Sequence, residues 1–223
     1  MRRVIDLSTP IVEDHFRWPI ERKLLKAHGP DSSFQGTWFA TNCHAFTHMD
    51  APRHFVPDGH TTDGLLLDKV VGEAAVVDIG DVGPDNPVTG AHMEAAGGHV
   101  RDGDIVLMRA GWDRQESIAT PEFWANAPYM TNEAAVWLRE RGAKAVGFDF
   151  PQDRSIRKFI TGEKAERHEH TTHVELLAHG VILMEYLCNM TEIRDARTFV
   201  VALPLKIPDC DGAPARIVAI EED

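Results

Sequence analysis

Apolar residues in this chain fall into short runs with two periodicities, and their order predicts strands alternating with helices. "GEAAVVDIG" (72–80) is short, β-branched and closed by glycines, as a buried strand should be. In "RDGDIVLMRAGW" (101–112) a turn at Asp102-Gly103 precedes an apolar strand from Ile105 to Met108. "TNEAAVWLRERG" (131–142) has helical spacing: Thr131 can cap it, Glu133 sits in its first turn, Ala135, Val136 and Leu138 follow, and Gly142 closes it. It runs into the strand "AKAVGFDF". A second helix begins near Thr171 or Thr172, "TTHVELLAHG", ends at Gly180 and feeds the strand "VILMEYL". The apolar segment "FVVALPLKI", the turn "PDCDGAP" and the strand "ARIVAI" complete the series. No linker, repeat or low-complexity tract interrupts it, and "GDVGPDNPVTG" (80–90) reads as a surface loop. The expectation is one α/β or α+β domain over residues 1–223, with roughly seven or more strands and a few helices.

One polar stretch stands out from that pattern. "HAFTHMDAPRHF" (44–55) holds His44, His48, Asp50 and His54, with His60 close behind, whereas His15, His28, His92 and His99 have no patterned partners and read as surface or core residues. In a helix His44 and His48 would share a face but Asp50 would point away. In an extended chain His44, Phe46, His48 and Asp50 project to one side, with Cys43 opposite. The β-formers of "TWFATNC" upstream and Pro52 downstream favour the extended form. His54 then follows the proline on a turn, within reach of the same place.

Imidazoles with a carboxylate and no thiolate suit Zn²⁺, Mn²⁺ or Fe²⁺, and two histidines plus one acid with open positions describe a catalytic site better than a structural one. The competing reading is a polar strand whose histidines hydrogen-bond one another. A second feature favours a metal. "HGVILMEYLCN" places Glu185 among apolar residues, where an ionised carboxylate is costly unless it is paired, binds a metal or turns to water. Just upstream, "ERHEHTTHVELLAHG" offers His168, His170, His173 and His179 as partners, and composition does not choose among them. Phe34, Trp38 and Phe46 near the cluster could wall an aromatic substrate or simply pack in the core.

Composition narrows the classes. A net charge of −12 over 223 residues argues against a nucleic-acid binder. Cys43, Cys188 and Cys210 form no CxxC pair, so neither a disulfide framework nor a thiolate zinc site is indicated. "MRRVIDLSTP" has no signal-peptide core, and nowhere does an apolar run long enough for a membrane span occur. A cytoplasmic, reduced, globular protein is expected. No GxSxG elbow or cysteine-nucleophile motif points to covalent catalysis.

"HAFTHMDAPRH" resembles the HxGTHxDxPxH signature of the cyclase-like metal-dependent hydrolases, the family of bacterial kynurenine formamidase and isatin hydrolase. "IDLSTPI", Trp18-Pro19, "DGDIVLMRAGW", "EAAVWLRERGAKAVGFD" and "ALPLKIPDCDGAPARIVAI" resemble that family in the same order, so the similarity covers almost the whole chain. The resemblance implies the family's swivelling β/β/α fold, an α/β domain with a mixed, barrel-like central sheet and flanking helices. It implies His44, His48, Asp50, His173 and Glu185 as ligands of one or two ions, zinc first and manganese as the alternative, and His54 as the proton-transferring histidine. A homodimer or homotetramer acting on a small molecule is implied as well. The expected reaction is hydrolysis of an amide, formamide or cyclic amide by metal-activated water. The alternatives are lactone or imide opening, a cyclase or dehydratase step on the same scaffold, and a non-catalytic binding protein. Two departures touch the substrate side, where Trp18 and Phe46 are the candidate binding residues. Phe46 replaces the family glycine, and Trp18-Pro19 is followed by Ile20-Glu21 rather than Gly-Asp.

Overall fold

Closing a sheet on itself lets alternate residues of every strand share one apolar interior, and this chain does so. The computed structural model describes residues 2–65 and 67–222. Its strands are β1 (Arg2–Asp6), β2 (Glu21–Lys26), β3 (Gly36–Ala40), β4 (His48–Asp50), β5 (Val71–Asp78), β6 (Pro87–Val88), β7 (Ile105–Arg109), β8 (Tyr129–Met130), β9 (Ala145–Phe148), β10 (Ile182–Glu185), β11 (Arg197–Pro204) and β12 (Gly212–Glu222). Its α-helices are α1 (Gly90–Ala96), α2 (Trp112–Gln115), α3 (Pro121–Ala125), α4 (Asn132–Glu140), α5 (Lys158–Thr161) and α6 (Thr171–Glu175). The strand order β12-β11-β5-β7-β9-β10-β4 returns to β12, and β1 is added outside β12. Within this mixed barrel β5, β7, β9 and β10 run parallel, while the other pairs are antiparallel. The expected single α/β domain with a mixed barrel and flanking helices is the architecture found.

Strand alternation sorts the core into two clusters. Met49, Ala74, Val76, Ile105, Leu107, Ala145, Ile182, Met184, Val200, Ala202 and Ile217 come from every strand of the ring and fill its interior. The intervening positions Ala75, Val77, Val106, Met108, Val146, Phe148 and Leu183 face outward and pack against the helical layer. Because Met49 and Met184 point inward, His48, Asp50 and Glu185 point to the helical side. Helix α4 packs there through Ala134, Ala135, Trp137 and Leu138. As its sequence predicts, Thr131 caps it by accepting from the Ala134 N–H. Gly142 then turns the chain at φ +77°, where a Cβ would lie 1.9 Å from Asp102 Oδ1.

Three local expectations need correction. Residues 36–50 are not one extended strand: β3 pairs only with β2 in a separate hairpin, the chain turns through 41–47, and β4 begins at His48. Phe46 sits at φ +55°, outside the extended region, which breaks the alternation assumed from His44 onward. Cys43 is accordingly a half-buried turn residue beside Cys210, not a strand residue on the opposite face. The helix near Thr171 lasts only to Glu175; a tighter turn, Leu177–His179, carries the chain to Gly180. β12 starts at Gly212, earlier than "ARIVAI", because Gly212–Pro214 pair with β4 and close the ring. Helix α1 and the β2–β3 hairpin, each too short for a clear period, went unanticipated. Among the described residues no helix is long and apolar enough to cross a membrane.

Candidate metal centre

Strand register assembles the first half of the site. β4 runs antiparallel to β10 with His48 opposite Glu185, and both side chains point to the helical layer. Asp50 lies two residues along the same face, with Gly212 of β12 across from it. That glycine is required: a Cβ there would lie 2.5 Å from His44 Cε1. His44 comes from the turn before β4, His54 from the tight turn Pro52–His54 after it, and His173 from α6. His48 and Asp50 are each 1% exposed, Glu185 3% and His173 5%. His44 and His54 are half-buried, their rings stacked 4.0 Å apart.

Asp50 is the hub. Its Oδ1 lies 2.7 Å from His44 Nδ1 and 3.1 Å from His48 Nε2, and its Oδ2 lies 3.2 Å from His173 Nε2. Glu185 closes the ring of donors, 3.3 Å from His173 Nε2 and 3.6 Å from His48 Nε2. The far nitrogens are held from behind. His48 Nδ1 donates to the Phe46 carbonyl at 2.8 Å, and His173 Nδ1 donates to Asp153 Oδ2 at 2.7 Å. Asp211 Oδ2 accepts from both His44 Nε2 (2.9 Å) and His54 Nδ1 (3.0 Å). Gln152 donates to Glu185. Such outer partners set which ring nitrogen offers its lone pair to a cation, here Nδ1 of His44 and Nε2 of His48 and His173.

The donor set fits a divalent ion. Asp50 Oδ2 is buried with no hydrogen-bond partner, and an orphaned carboxylate oxygen deep in a protein is costly unless a cation faces it. Donor atoms of His44, His48 and Asp50 lie within 4.8 Å of one another, as do those of Asp50, His54 and His173, so Asp50 belongs to both groups and suits one ion or two. The mix is all imidazole and carboxylate, with no thiolate.

Electrostatics follows the same contacts. Burial would raise the Asp50 pKa, but the neighbouring His48 charge and the close-set His173, His44 and His48 imidazoles hold it well below the usual carboxylate range. Burial works against charge on His44, yet Asp50 and Asp211 outweigh it and raise its pKa to about 9. At His173 burial is likewise outweighed, by Asp153 and Asp50, and the pKa rises well above the ordinary value. His54 differs: burial lowers its pKa despite Asp50 and Asp211, which favours the neutral imidazole.

All five residues expected as ligands thus meet, with His54 beside them. They open on a cleft of about 340 Å³ whose other walls include Arg17, Trp18, Phe55, Ile156, His170 and Tyr186. Trp18 lines that cleft. Phe46 is fully buried behind the wall, its ring 4.7 Å from Trp18 and 5.1 Å from His15. Phe34 and Trp38 are exposed on the hairpin and its loop and do not line the cleft. Of the four histidines upstream of Glu185, His173 enters the centre, His170 reaches the cleft wall, His179 contacts Arg139, and His168 is exposed. Sequence reasoning missed Gln152, Asp153, Asp211 and Arg17. Polar residues just beyond the strand "AVGFDF" and inside the turn "PDCDGAP" were the available signals, because chain segments leaving a strand end often line a site.

Known proteins supply an independent comparison. The family model described as "Putative cyclase" matches residues 5–152. That span contains His44, His48, Asp50 and His54; His173, Glu185 and Asp211 lie beyond it. Kynurenine formamidase of Bacillus mycoides (strain KBAB4) is 25% identical over 226 residues, spanning 96% of this chain and 95% of its own. The kynurenine formamidase of Erythrobacter litoralis (strain HTCC2594) is 26% identical over 232 residues, spanning 99% and 94%. Isatin hydrolase A from Labrenzia aggregata, solved bound to benzyl benzoate, superposes with a TM-score of 0.81 at 21% identity, covering 100% of this chain and 94% of that one. A potential metal-dependent hydrolase with cyclase activity superposes at 0.76 with 24% identity, covering both chains completely. The two superpositions establish the shared fold.

Proposed function

Because the chain belongs to the cyclase family, we propose that it is a metal-dependent hydrolase that cleaves the carbon–nitrogen bond of an amide, formamide or cyclic amide in a small aromatic substrate. One observation carries this reading: Asp50, common to two histidine groups at the floor of a cleft, has its buried Oδ2 without a hydrogen-bond partner. His44, His48, Asp50, His173 and Glu185 would hold one or two ions, zinc first and manganese as the alternative. A divalent cation, when bound, lowers the pKa of water toward neutrality and polarises a carbonyl.

The protein's own groups do the rest. His54, its pKa lowered by burial and its Nδ1–H engaged by Asp211, has Nε2 facing away from that acid to take a proton from water or pass one to the departing nitrogen. Asp153 and Asp211 hold the ligand rings in one orientation, so little reorganisation is needed. Trp18 offers an aromatic wall, with Phe46 packed behind it to fix its position. The kynurenine formamidases among its relatives support a formyl-arylamine, and the isatin hydrolase fold supports a cyclic amide as the other substrate to try.

We further place the protein in a reducing compartment, the cytoplasm, in keeping with three free cysteines, and as a homodimer or homotetramer. The hairpin supports the latter, since Leu24, Leu25, Phe34 and Phe39 are about half exposed or more on it. Exhaustive chelation should abolish hydrolysis of a formanilide and of an isatin-like lactam, with zinc or manganese restoring it. His54→Ala should keep its metal while losing roughly 100-fold or more in turnover. Full activity after chelation would remove the scheme.

A further inference from the structure

Six arginines are half-buried among the described residues: Arg3, Arg17, Arg109, Arg139, Arg157 and Arg197. Five pair with a carboxylate, Arg3 with Glu192 and Glu221, Arg109 with Asp78, Arg139 with Glu175, Arg157 with Asp85, and Arg197 with Asp104. Arg17 has no carboxylate partner among those residues. It is also the one that lines the cleft over the metal centre.

Its guanidinium is nonetheless held in place. The carbon at its centre lies 4.2 Å from the Trp124 ring, 4.5 Å from Phe159, 5.2 Å from Trp18 and 5.7 Å from Tyr186. These are cation–π distances, and such contacts hold the group by its charge without using up its N–H donors. A guanidinium carries five donors in a planar fork. Among the described residues its one side-chain hydrogen bond goes from Nη1 to the Tyr186 hydroxyl, at 3.3 Å. Fixed in position with most of the fork unspent, the group is preorganised for a bidentate anion.

The acids nearby are already committed: Asp153 to His173, Asp211 to His44 and His54, and Glu185 to the metal centre and Gln152. Tyr186 spans the gap, with its ring 5.4 Å from the His48 ring and its hydroxyl on Arg17. We infer that the substrate carries a carboxylate, and that Arg17 receives it while the scissile amide lies over Asp50. The aromatic walls Trp18, Phe55 and Tyr186 favour an aryl group between the two ends, and a cleft of about 340 Å³ suits one ring. The inference rests on the hydrolase reading and names the class of its substrate.

The test uses metal-loaded protein and two probes that differ by one group, N-formyl-2-aminobenzoate and formanilide, with benzoate binding followed by calorimetry. The wild type should favour the carboxylated probe by about 10- to 100-fold in kcat/KM, most of it through KM. Arg17→Met should bring that ratio close to one and abolish benzoate binding. Arg17→Lys, which keeps the charge but not the fork, should fall between. Equal kcat/KM for both probes in the wild type would overturn the inference, as would an unchanged ratio in Arg17→Met of native melting temperature. If neither probe is cleaved yet benzoate still binds in an Arg17-dependent way, the carboxylate seat stands and the amide-hydrolase reading falls.

Discussion

The rim of the barrel at β4 and the hairpin formed by β2 and β3 are close in sequence and opposite in construction. Every residue of β4 is buried, and the polar atoms around it are answered by residues from the turn after β9, α6, β10 and the turn before β12. All six residues of β2 and four of the five in β3 are exposed, and the two strands pair only with each other. Long-range polar contacts thus preset the rim before anything binds. The hairpin has a register but no core, and a lone two-stranded hairpin is marginal in water. Its exposed apolar side chains are the surface that the proposed assembly would cover.

The largest effect should come at the rim. Asp50→Ala removes the carboxylate common to both donor groups, so metal affinity should fall roughly 100-fold or more, above the 10- to 100-fold typical of losing an outer partner, and activity should drop to background. Metal analysis with a formanilide assay checks this; a variant that keeps its ion at full stoichiometry would show that the two groups do not depend on their shared acid.

A smaller effect is expected at the hairpin. Leu25→Asp puts a charge on a residue that is 66% exposed in the single chain, and should shift sedimentation toward the monomer. The folding stability of the isolated barrel should change by only about 0.5 kcal/mol or less, as at other surface positions. An unchanged assembly would mean that the hairpin serves some other contact.

The subtlest test concerns pH. Asp149, just after β9, is fully buried and accepts the N–H groups of Ala110 (2.9 Å) and Gly111 (2.8 Å). Burial nevertheless pushes its pKa up from the usual 3.8 to about 7. Between those values the folded state keeps a proton that the unfolded chain has released, so this group's contribution to stability declines as pH rises through the window and levels off above about 7. Denaturant unfolding at a series of pH values should show that slope in the wild type and lose it in Asp149→Asn.

Phe46 shows how local reasoning can name a residue and misplace it. The resemblance puts glycine there, and the observed φ of +55° is one that glycine adopts freely and a side chain pays about 1–2 kcal/mol to enter. Burying the ring against Trp18 and His15 offsets that cost. The result is a core residue behind the cleft, with the ligand-bearing loop bent where an extended strand was expected. Asp211 and Arg17 escaped notice for a related reason: nothing in "PDCDGAP" or "HFRWPI" says which distant ring each will face.

By itself the sequence determined the alternation of strands and helices and the chemistry of the donors, because propensity, periodicity and ligand preference belong to residues and their immediate neighbours. Ring closure, the helical-side orientation of His48, Asp50 and Glu185, and the lack of a carboxylate partner for Arg17 among the described residues were decided only in three dimensions. Each depends on strand register and on packing between segments far apart in the chain, as His44 and Asp211 are at 167 residues and Arg17 and Tyr186 at 169, and no local window contains that information.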